Sequence, residues 1–264
     1  MKTLALVLAA VSLPSVAHAD RKNPFYIRAG VVHLEPLESS REMELADIDG
    51  PASLSVQNGP IAGSGSTVSS ATIFGAIVGY TLPWKDGRMS VETILGMPFK
   101  VKFTATGSLA NMSIAPTALG LPTGVPAVGE EMGEATAVPP VLTLIYRLTP
   151  GRVQPYVGGG AAVMFALDPK VTNPLLTEIS QPDMSIAPAP GLVLQGGIDA
   201  KIAHRIYARL DVKFIAGMLA RAEVHHIEVR TPDLPLFETV EVGTAKMSVW
   251  VNPLIVQLGV GTDF

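Results

Sequence analysis

Ionisable side chains occur at alternate positions within segments of this chain that are otherwise apolar. In residues 206–220, Arg209 and Asp211 alternate with Leu210 and Val212. Successive side chains of a β-strand point to opposite faces, so these charges share one face. Charges of both signs in a small enclosed space should pair, because an isolated buried charge is costly. The sequence therefore predicts a polar plug of Arg28, Glu92, Arg147, Asp199, Lys201, Arg209 and Asp211, with Gln154, Tyr156, Tyr207 and Asp263 at the same depth.

A second set of residues on the same face, further along the strands, is apolar. Because the opposite face is also aliphatic and suits lipid, these inward side chains need another partner. An apolar lumen, open towards the long loops and able to hold small hydrophobic molecules, is the natural interpretation. Its predicted lining is Val32, Leu34, Ile73, Ile94, Met164, Val193, Ile215, Leu219, Val251 and Ile255.

Prolines interrupt two of these segments at similar distances from their turns, at Pro98 and at Pro139-Pro140. Proline has no N–H to donate to a β-ladder, and unpaired backbone inside a membrane needs a cavity or water beside it. We hypothesise a lateral opening between these two strands, through which an apolar solute leaves the lumen. The alternative is that the prolines end the ladders at the rim above the lipid.

Eight segments with a period of two position these residues. They are joined alternately by short turns and by long loop segments, residues 35–70, 107–133, 168–190 and 221–243. This pattern predicts an all-β fold: an eight-stranded antiparallel transmembrane β-barrel with four long extracellular loops and short periplasmic turns. A soluble barrel is excluded, since it would keep its apolar face inside. The predicted strands are residues 25–34, 72–81, 89–103, 135–148, 153–167, 192–202, 206–220 and 248–264.

The two ends of the chain indicate its compartment. Lys2, an apolar run over residues 4–11 and Ala17-His18-Ala19 form a signal-peptide pattern, so we predict a cleaved signal peptide at 1–19 and a barrel domain at 20–264. After it, no stretch approaches the ~18 consecutive apolar residues of a membrane helix. The last strand ends in Phe264, whose ring suits the membrane interface and which we expect the barrel assembly machinery to recognise. These features predict the outer membrane of a Gram-negative bacterium, with its lipid as a partner.

Composition and motifs limit the possible chemistry. The chain has no cysteine and a net charge of −4, so thiolate metal sites and nucleic-acid binding are not expected. His225 and His226 are adjacent and would point to opposite faces of a strand, so no metal or cofactor is predicted. His33 and His204 have no obvious nucleophile beside them, and we predict that the protein is not an enzyme. The alternatives are a structural or receptor barrel that acts through its loops and, less favoured, a lipid-modifying barrel enzyme.

Five stretches resemble the OmpW family of outer-membrane proteins, which includes AlkL-type importers of hydrophobic compounds. They are FYIRAGVVHL (25–34), Leu82-Pro83-Trp84, VPPVLTLIYRL (138–148), QPYVGGGA (154–161) and VNPLIVQLGVGTDF (251–264). The resemblance implies an eight-stranded barrel whose narrow hydrophobic lumen passes small apolar molecules inward. The chain departs from the family in having few aromatic residues and long, apolar loops.

Overall fold

A computed structural model describes residues 23–234 and 237–264 of the chain. The predicted signal peptide, residues 1–19, and the expected first residue of the mature chain, Asp20, lie outside the described residues.

Eight antiparallel strands form a closed barrel. Each strand pairs with its neighbours in chain order, and the last strand pairs with the first over residues 253–263 and 26–36. This arrangement confirms the predicted eight-stranded antiparallel barrel. The strands are β1 (Phe25–Pro36), β2 (Ala71–Thr81), β3 (Met89–Gly96), β4 (Val141–Arg147), β5 (Val153–Val171), β6 (Ala189–Ala203), β7 (Ile206–Ala216) and β8 (Pro253–Asp263).

The two faces of the barrel strands differ as their alternation predicts. In β1, Tyr26 and Arg28 are buried inside the barrel, whereas Phe25 and Val31 are exposed on its outer face. The rings of Phe25 and Tyr80 meet edge to face at 5.0 Å near the short turns. Aromatic rings at this height suit the membrane–water interface of a membrane barrel.

The predicted strand over residues 89–103 is broken at Met97-Pro98, and its outer part forms a separate strand, Phe99–Gly107. Phe99 and Val101 are buried and point inward, while Lys100 and Lys102 are exposed. Counting in steps of two through the whole segment from Glu92 predicts that Phe99 and Val101 face lipid and that Lys100 and Lys102 face the lumen, and this prediction is wrong. Proline ends the ladder, so the alternation of faces does not continue across the break.

Three other predicted strands are also broken. Residues 135–148 divide into Glu131–Val138 and β4 around Pro139-Pro140, residues 206–220 divide after β7, and residues 248–264 divide before β8. The outer pieces of the first two broken strands extend the barrel sheet along the outer half of β5, and those of the last two belong to a separate six-stranded sheet. The predicted long loops are consequently ordered to a large extent. Their strands are too short and irregular to show a period of two in the sequence.

The outer segments contain many short elements around an apolar core. Leu45, Leu109, Val125, Val224 and Met247 are buried in this core, which accounts for the apolar content of residues 107–133. No helix among the described residues is long and apolar enough to cross a membrane. Besides the pieces already named, the strands are Ser39–Ser40, Glu44–Ala46, Gly59–Pro60, Ser64–Val68, Thr117–Ala118, Leu121–Pro122, Asp183–Ala187, Leu219–His225, Glu228–Arg230, Thr239–Glu241 and Thr244–Trp250, with an α-helical turn at Ser108–Asn111 and 3-10 turns at Gly50–Leu54 and Lys85–Gly87.

Candidate functional site: the barrel interior

An ion-pair network fills the barrel near the short turns, and Arg209 on β7 is at its centre. Its Nε and Nη2 atoms donate to the two carboxylate oxygens of Asp199 on β6, each at 2.7 Å. Its Nη1 atom donates to Glu92 Oε1 on β3, also at 2.7 Å. A guanidinium that binds a carboxylate through two parallel bonds makes one of the stronger charge-assisted contacts in proteins. Arg209 therefore joins β3, β6 and β7 across the lumen.

Further basic residues pair with the carboxylates of Asp263, which is partly exposed, and Asp211, which is buried. Arg28 donates from Nη2 to Asp263 Oδ1 at 2.7 Å, and its Nε lies 3.6 Å from Asp199 Oδ1. Lys213 donates from Nζ to Asp211 Oδ1. Each buried charge thus has a partner of opposite sign, which is the condition under which such charges are tolerated.

Two tyrosines complete the network, and two glycines make room for them. Tyr26 donates to Glu92 Oε1 and Tyr156 donates to Asp211 Oδ2, both at 2.6 Å. A Cβ atom at Gly79 would lie 2.0 Å from the Tyr26 ring, and one at Gly197 would lie 2.3 Å from the Tyr156 hydroxyl. The small residues at these inward positions are therefore required by the packing of the tyrosine side chains.

The structure brings most of the predicted plug residues together. Arg28, Glu92, Asp199, Arg209 and Asp211 belong to the network and are at most 1% exposed. Two predicted members lie at its edge. Arg147 donates from Nη1 to Ser90 Oγ at 2.7 Å and lies 4.0 Å from Asp199, whereas Lys201 is only half-buried near the short turns.

The predicted plug omits Gln195 and Lys213, which the structure places in the network. Gln195 Nε2 donates to Glu92 Oε2 at 2.8 Å and to Asp211 Oδ2 at 2.6 Å. Counting in steps of two places both residues on the inward face of their strands. The sequence does not give their depth, and they lie closer to the apolar lumen than the other members of the network.

The inward surface becomes apolar immediately beyond the network. On β7 the inward residues run Arg209, Asp211, Lys213 and then Ile215. The predicted lumen residues, apart from Leu219, lie in two adjoining apolar clusters that also contain Phe99 and Val141. At Gly217, whose φ of 77° is in the left-handed region, the alternation changes. Met218 is therefore buried in the lumen, and Leu219 is half-buried outside these clusters.

The ladder between β3 and β4 is interrupted beside this apolar surface. Pairing runs from Met89 to Thr93 on β3, and the outer strands begin to pair again only at Phe99 and Ala137. Thr93 Oγ1 donates to Val141 O at 2.9 Å at the lower edge of the interruption. Pro98 and Pro139-Pro140 fall within it, and so do the exposed side chains of Leu95 and Met97.

A second interruption separates the ladder of β7 and β8 from that of their outer continuations. Pairing ends at Phe214 and Leu254 and resumes at Leu219 and Trp250. Here hydrogen bonds cross the interruption. Gly217 N donates to Asn252 Oδ1 at 2.9 Å, and Val251 N donates to Met218 O at 2.9 Å.

One histidine has a hydroxyl neighbour that the sequence did not suggest. His33 Nδ1 lies 2.9 Å from Thr72 Oγ1, and His33 Nε2 lies 3.5 Å from Glu35 Oε2, on the outer face of the wall. The same combination recurs in the outer sheet, where His225 contacts Thr244 and Glu223. Its recurrence at two unrelated places indicates ordinary cross-strand pairing of polar residues.

A closed barrel with an aliphatic outer face, aromatic rings near the short turns and paired charges inside is an integral protein of the bacterial outer membrane. The model of the OmpW family matches residues 23–264, and the chain belongs to that family. Membership confirms the resemblance seen in the sequence and places the protein in the outer membrane of a Gram-negative bacterium. The comparison with curated proteins gave no match.

Three solved structures of outer-membrane proteins are similar to this chain to different degrees. The crystal structure of the outer membrane protein OprG from Pseudomonas aeruginosa matches with a TM-score of 0.67 at 20% identity, covering 92% of this chain and 97% of that one. AlkL in DMPC lipid bilayers matches with a TM-score of 0.48 at 18% identity, over 96% of each chain. Outer Membrane Protein W of E. coli matches with a TM-score of 0.47 at 17% identity, over 92% of this chain and 98% of that one.

Proposed function

We propose that this protein is a passive channel for small hydrophobic molecules. A solute enters the apolar lumen from outside and leaves sideways into the membrane between β3 and β4. The observation that carries the proposal is the interrupted β3–β4 ladder, which lies beside an apolar lumen whose lower end is filled by charges.

The ion-pair network argues against a direct path to the periplasm. An eight-stranded barrel encloses little more than the volume of its own side chains. Here that volume contains Arg28, Glu92, Asp199 and Arg209, which are at most 1% exposed. An uncharged solute that crossed this region would have to separate ion pairs and leave charges unsolvated, at a cost of several kcal/mol.

The prolines support a sideways path because they cannot close the wall by backbone pairing. Between Thr93 and Phe99, the facing strand offers Pro139 and Pro140, neither of which has an N–H group. Leu95 and Met97, on the other side of the interruption, are 59% and 68% exposed and present apolar surface to lipid. An apolar solute can therefore pass from lumen to lipid without contact with water.

A receptor or structural barrel that acts only through its loops would not require an apolar lumen beneath them. A lipid-modifying enzyme would require an activated nucleophile, and His33 beside Thr72 is the arrangement to test. We expect Thr72→Ala to leave uptake and membrane lipid composition unchanged, because the same pairing occurs away from the barrel at His225.

Uptake of a medium-chain alkane by cells with and without the protein tests the proposal. Ile94 lines the lumen beside the β3–β4 interruption, so Ile94→Lys should abolish the gain in uptake by placing a charge on the path. Ile94→Met, which conserves volume and polarity, is the matched control and should retain the gain. Equal uptake in all strains, with the protein found in the outer membrane, would refute the channel and favour a role for the loops.

A further inference from the structure

An apolar cavity of about 200 Å³ lies among the outer segments, separate from the barrel lumen. Three of the four segments contribute its walls, through residues 51–56, 114–125, 229–234 and 237–242. Leu119 and Leu121 line it and are 80% and 60% exposed, so its rim presents apolar surface to the outside. Large exposed apolar side chains that border a cavity are a common sign of a binding site.

Two threonine hydroxyls at this cavity are already bonded to the protein. Thr123 Oγ1 donates to Ala115 O and accepts a hydrogen bond from Val125 N at 3.2 Å. Thr231 Oγ1 donates to Phe237 O. A ligand therefore finds apolar surface and few free hydrogen-bonding groups. The carboxylate of Asp233, which also lines the cavity, disfavours an anionic ligand such as a fatty acid.

An apolar column connects this cavity with the lumen. Along the chain leading into β8, Val240 and Val242 line the cavity, whereas Met247 lines a second, much smaller cavity of about 20 Å³. Val249 and Val251 then belong to the apolar cluster that Ile73 and Met164 of the lumen join. Methionine is flexible and adapts its packing easily, so the filled part of the column can rearrange around a passing solute.

The volume of the cavity indicates the size of its ligand. An apolar protein cavity of roughly 150 Å³ stays dry and binds benzene. A cavity of about 200 Å³ suits a molecule somewhat larger than benzene, such as two fused rings.

We propose that this cavity, the outer pocket, is a binding site for compact neutral hydrocarbons and loads the apolar column with them. The binding stands independently, whereas the loading role rests on the proposed uptake function.

Single-cysteine variants test the binding, because the natural chain contains no cysteine. Ala118 lines the outer pocket and is 5% exposed, whereas Ser53 is exposed beside it. In full-length protein in lipid nanodiscs, naphthalene at ten times its dissociation constant should slow methanethiosulfonate modification of the Ala118→Cys thiol roughly tenfold. Modification of the Ser53→Cys variant should not change, and pyrene, with four fused rings, should give no protection at Ala118→Cys. Equal slowing at both thiols, or slowing at neither, would overturn the site.

Filling the outer pocket tests the loading role. Ala118→Trp should lower naphthalene uptake several-fold at concentrations below saturation, and the control Ser53→Trp should leave uptake unchanged. One outcome is that naphthalene protects the Ala118→Cys thiol while cells with Ala118→Trp take up naphthalene as fast as cells with the natural protein. In that case the loading role is wrong and the proposed channel stands. If the natural protein gives no uptake at all, the proposed channel function fails with it, while protection in nanodiscs still decides the binding.

Discussion

The barrel wall is interrupted at two places that lie opposite each other, between β3 and β4 and between β7 and β8, with four strands separating them in either direction. The first interruption contains Pro98, Pro139 and Pro140, and only the Thr93 hydroxyl was found to reach across its lower edge among the described residues. The second contains Gly217 and Asn252, and two hydrogen bonds cross it, donated by the backbone N–H groups of Gly217 and Val251.

The difference shows how residue type decides whether hydrogen bonds cross a broken part of the wall. Glycine and asparagine adopt positive φ, 77° at Gly217 and 32° at Asn252, and keep their N–H groups or offer an amide oxygen. The chain can therefore bend there and still satisfy its donors. Proline also bends the chain but has no N–H to offer, so the two strands cannot close the wall in the usual way.

The largest loss of stability should follow from disrupting the ion-pair network, which joins the barrel strands below both interruptions. Arg209→Met leaves Glu92 and Asp199 without their main partner, and we expect it to lower the free energy of unfolding by about 3–5 kcal/mol. Urea unfolding from lipid vesicles measures this change. Arg152→Met, at an exposed position near the short turns, is the control. A loss below about 1 kcal/mol would mean that the ion-pair network does not stabilise the barrel strands below the two interruptions.

Restoring backbone donors at the first interruption should make it resemble the second. In Pro98→Ala/Pro139→Ala/Pro140→Ala, two new hydrogen bonds of about 1 kcal/mol each would favour a sealed wall by roughly tenfold or more. Alkane uptake should fall accordingly while the barrel remains folded. Pro155→Ala, which changes a proline within the paired part of β5, should leave uptake unchanged. Normal uptake by the triple variant would contradict the lateral exit.

Removing the side-chain bond at the second interruption should make it resemble the first. Asn252→Ala leaves the Gly217 N–H without its acceptor. It also places alanine at a positive φ, which alanine adopts less readily than asparagine. We therefore expect the free energy of unfolding to fall by about 1 kcal/mol. Asn252→Asp keeps an acceptor oxygen and should retain most of the stability. Hydrogen exchange of the Gly217 amide is the direct measurement. Unchanged protection of this amide in Asn252→Ala would show that the Asn252 side chain does not bridge the second interruption.

A smaller effect, on the pH dependence of stability, should come from the hydrogen bond between Glu38 and Val68 in the outer segments. Glu38 Oε1 accepts a hydrogen bond from Val68 N at 2.7 Å, and burial raises the pKa of Glu38 above its ordinary value. Since the folded protein then holds this proton more tightly than the unfolded chain, the associated stability is present at low pH and is lost as pH rises through the raised pKa. We expect a change below about 1 kcal/mol, because the group is partly exposed.

Glu38→Gln should flatten this pH dependence in thermal unfolding between about pH 4 and pH 7, the range above the ordinary carboxyl pKa. Glu42→Gln is the matched control, since Glu42 is exposed and its Oε1 also accepts a hydrogen bond from a backbone N–H, that of Gly63 at 2.8 Å. An equal response of both variants would contradict the role of burial.

Much of the barrel could be predicted from the sequence because a strand reveals its two faces locally. The inward positions of Arg28, Glu92 and Arg209 follow from counting in steps of two along single segments. The faces of Phe99 and Lys100 were predicted wrongly because counting fails at a break, and the sequence does not show how many residues a break inserts. Leu219 was misplaced for the same reason at Gly217.

The sequence by itself determined the amphipathic strands, their number and their antiparallel order, because each of these depends on residues close together in the chain. Only the tertiary structure decided which break is crossed by hydrogen bonds from its backbone N–H groups and where the outer pocket lies. Gly217 and Asn252 are 35 residues apart, and Arg209 and Glu92 are 117 residues apart. No local pattern records such contacts, since they arise when the ring of strands closes and brings distant side chains to the same height.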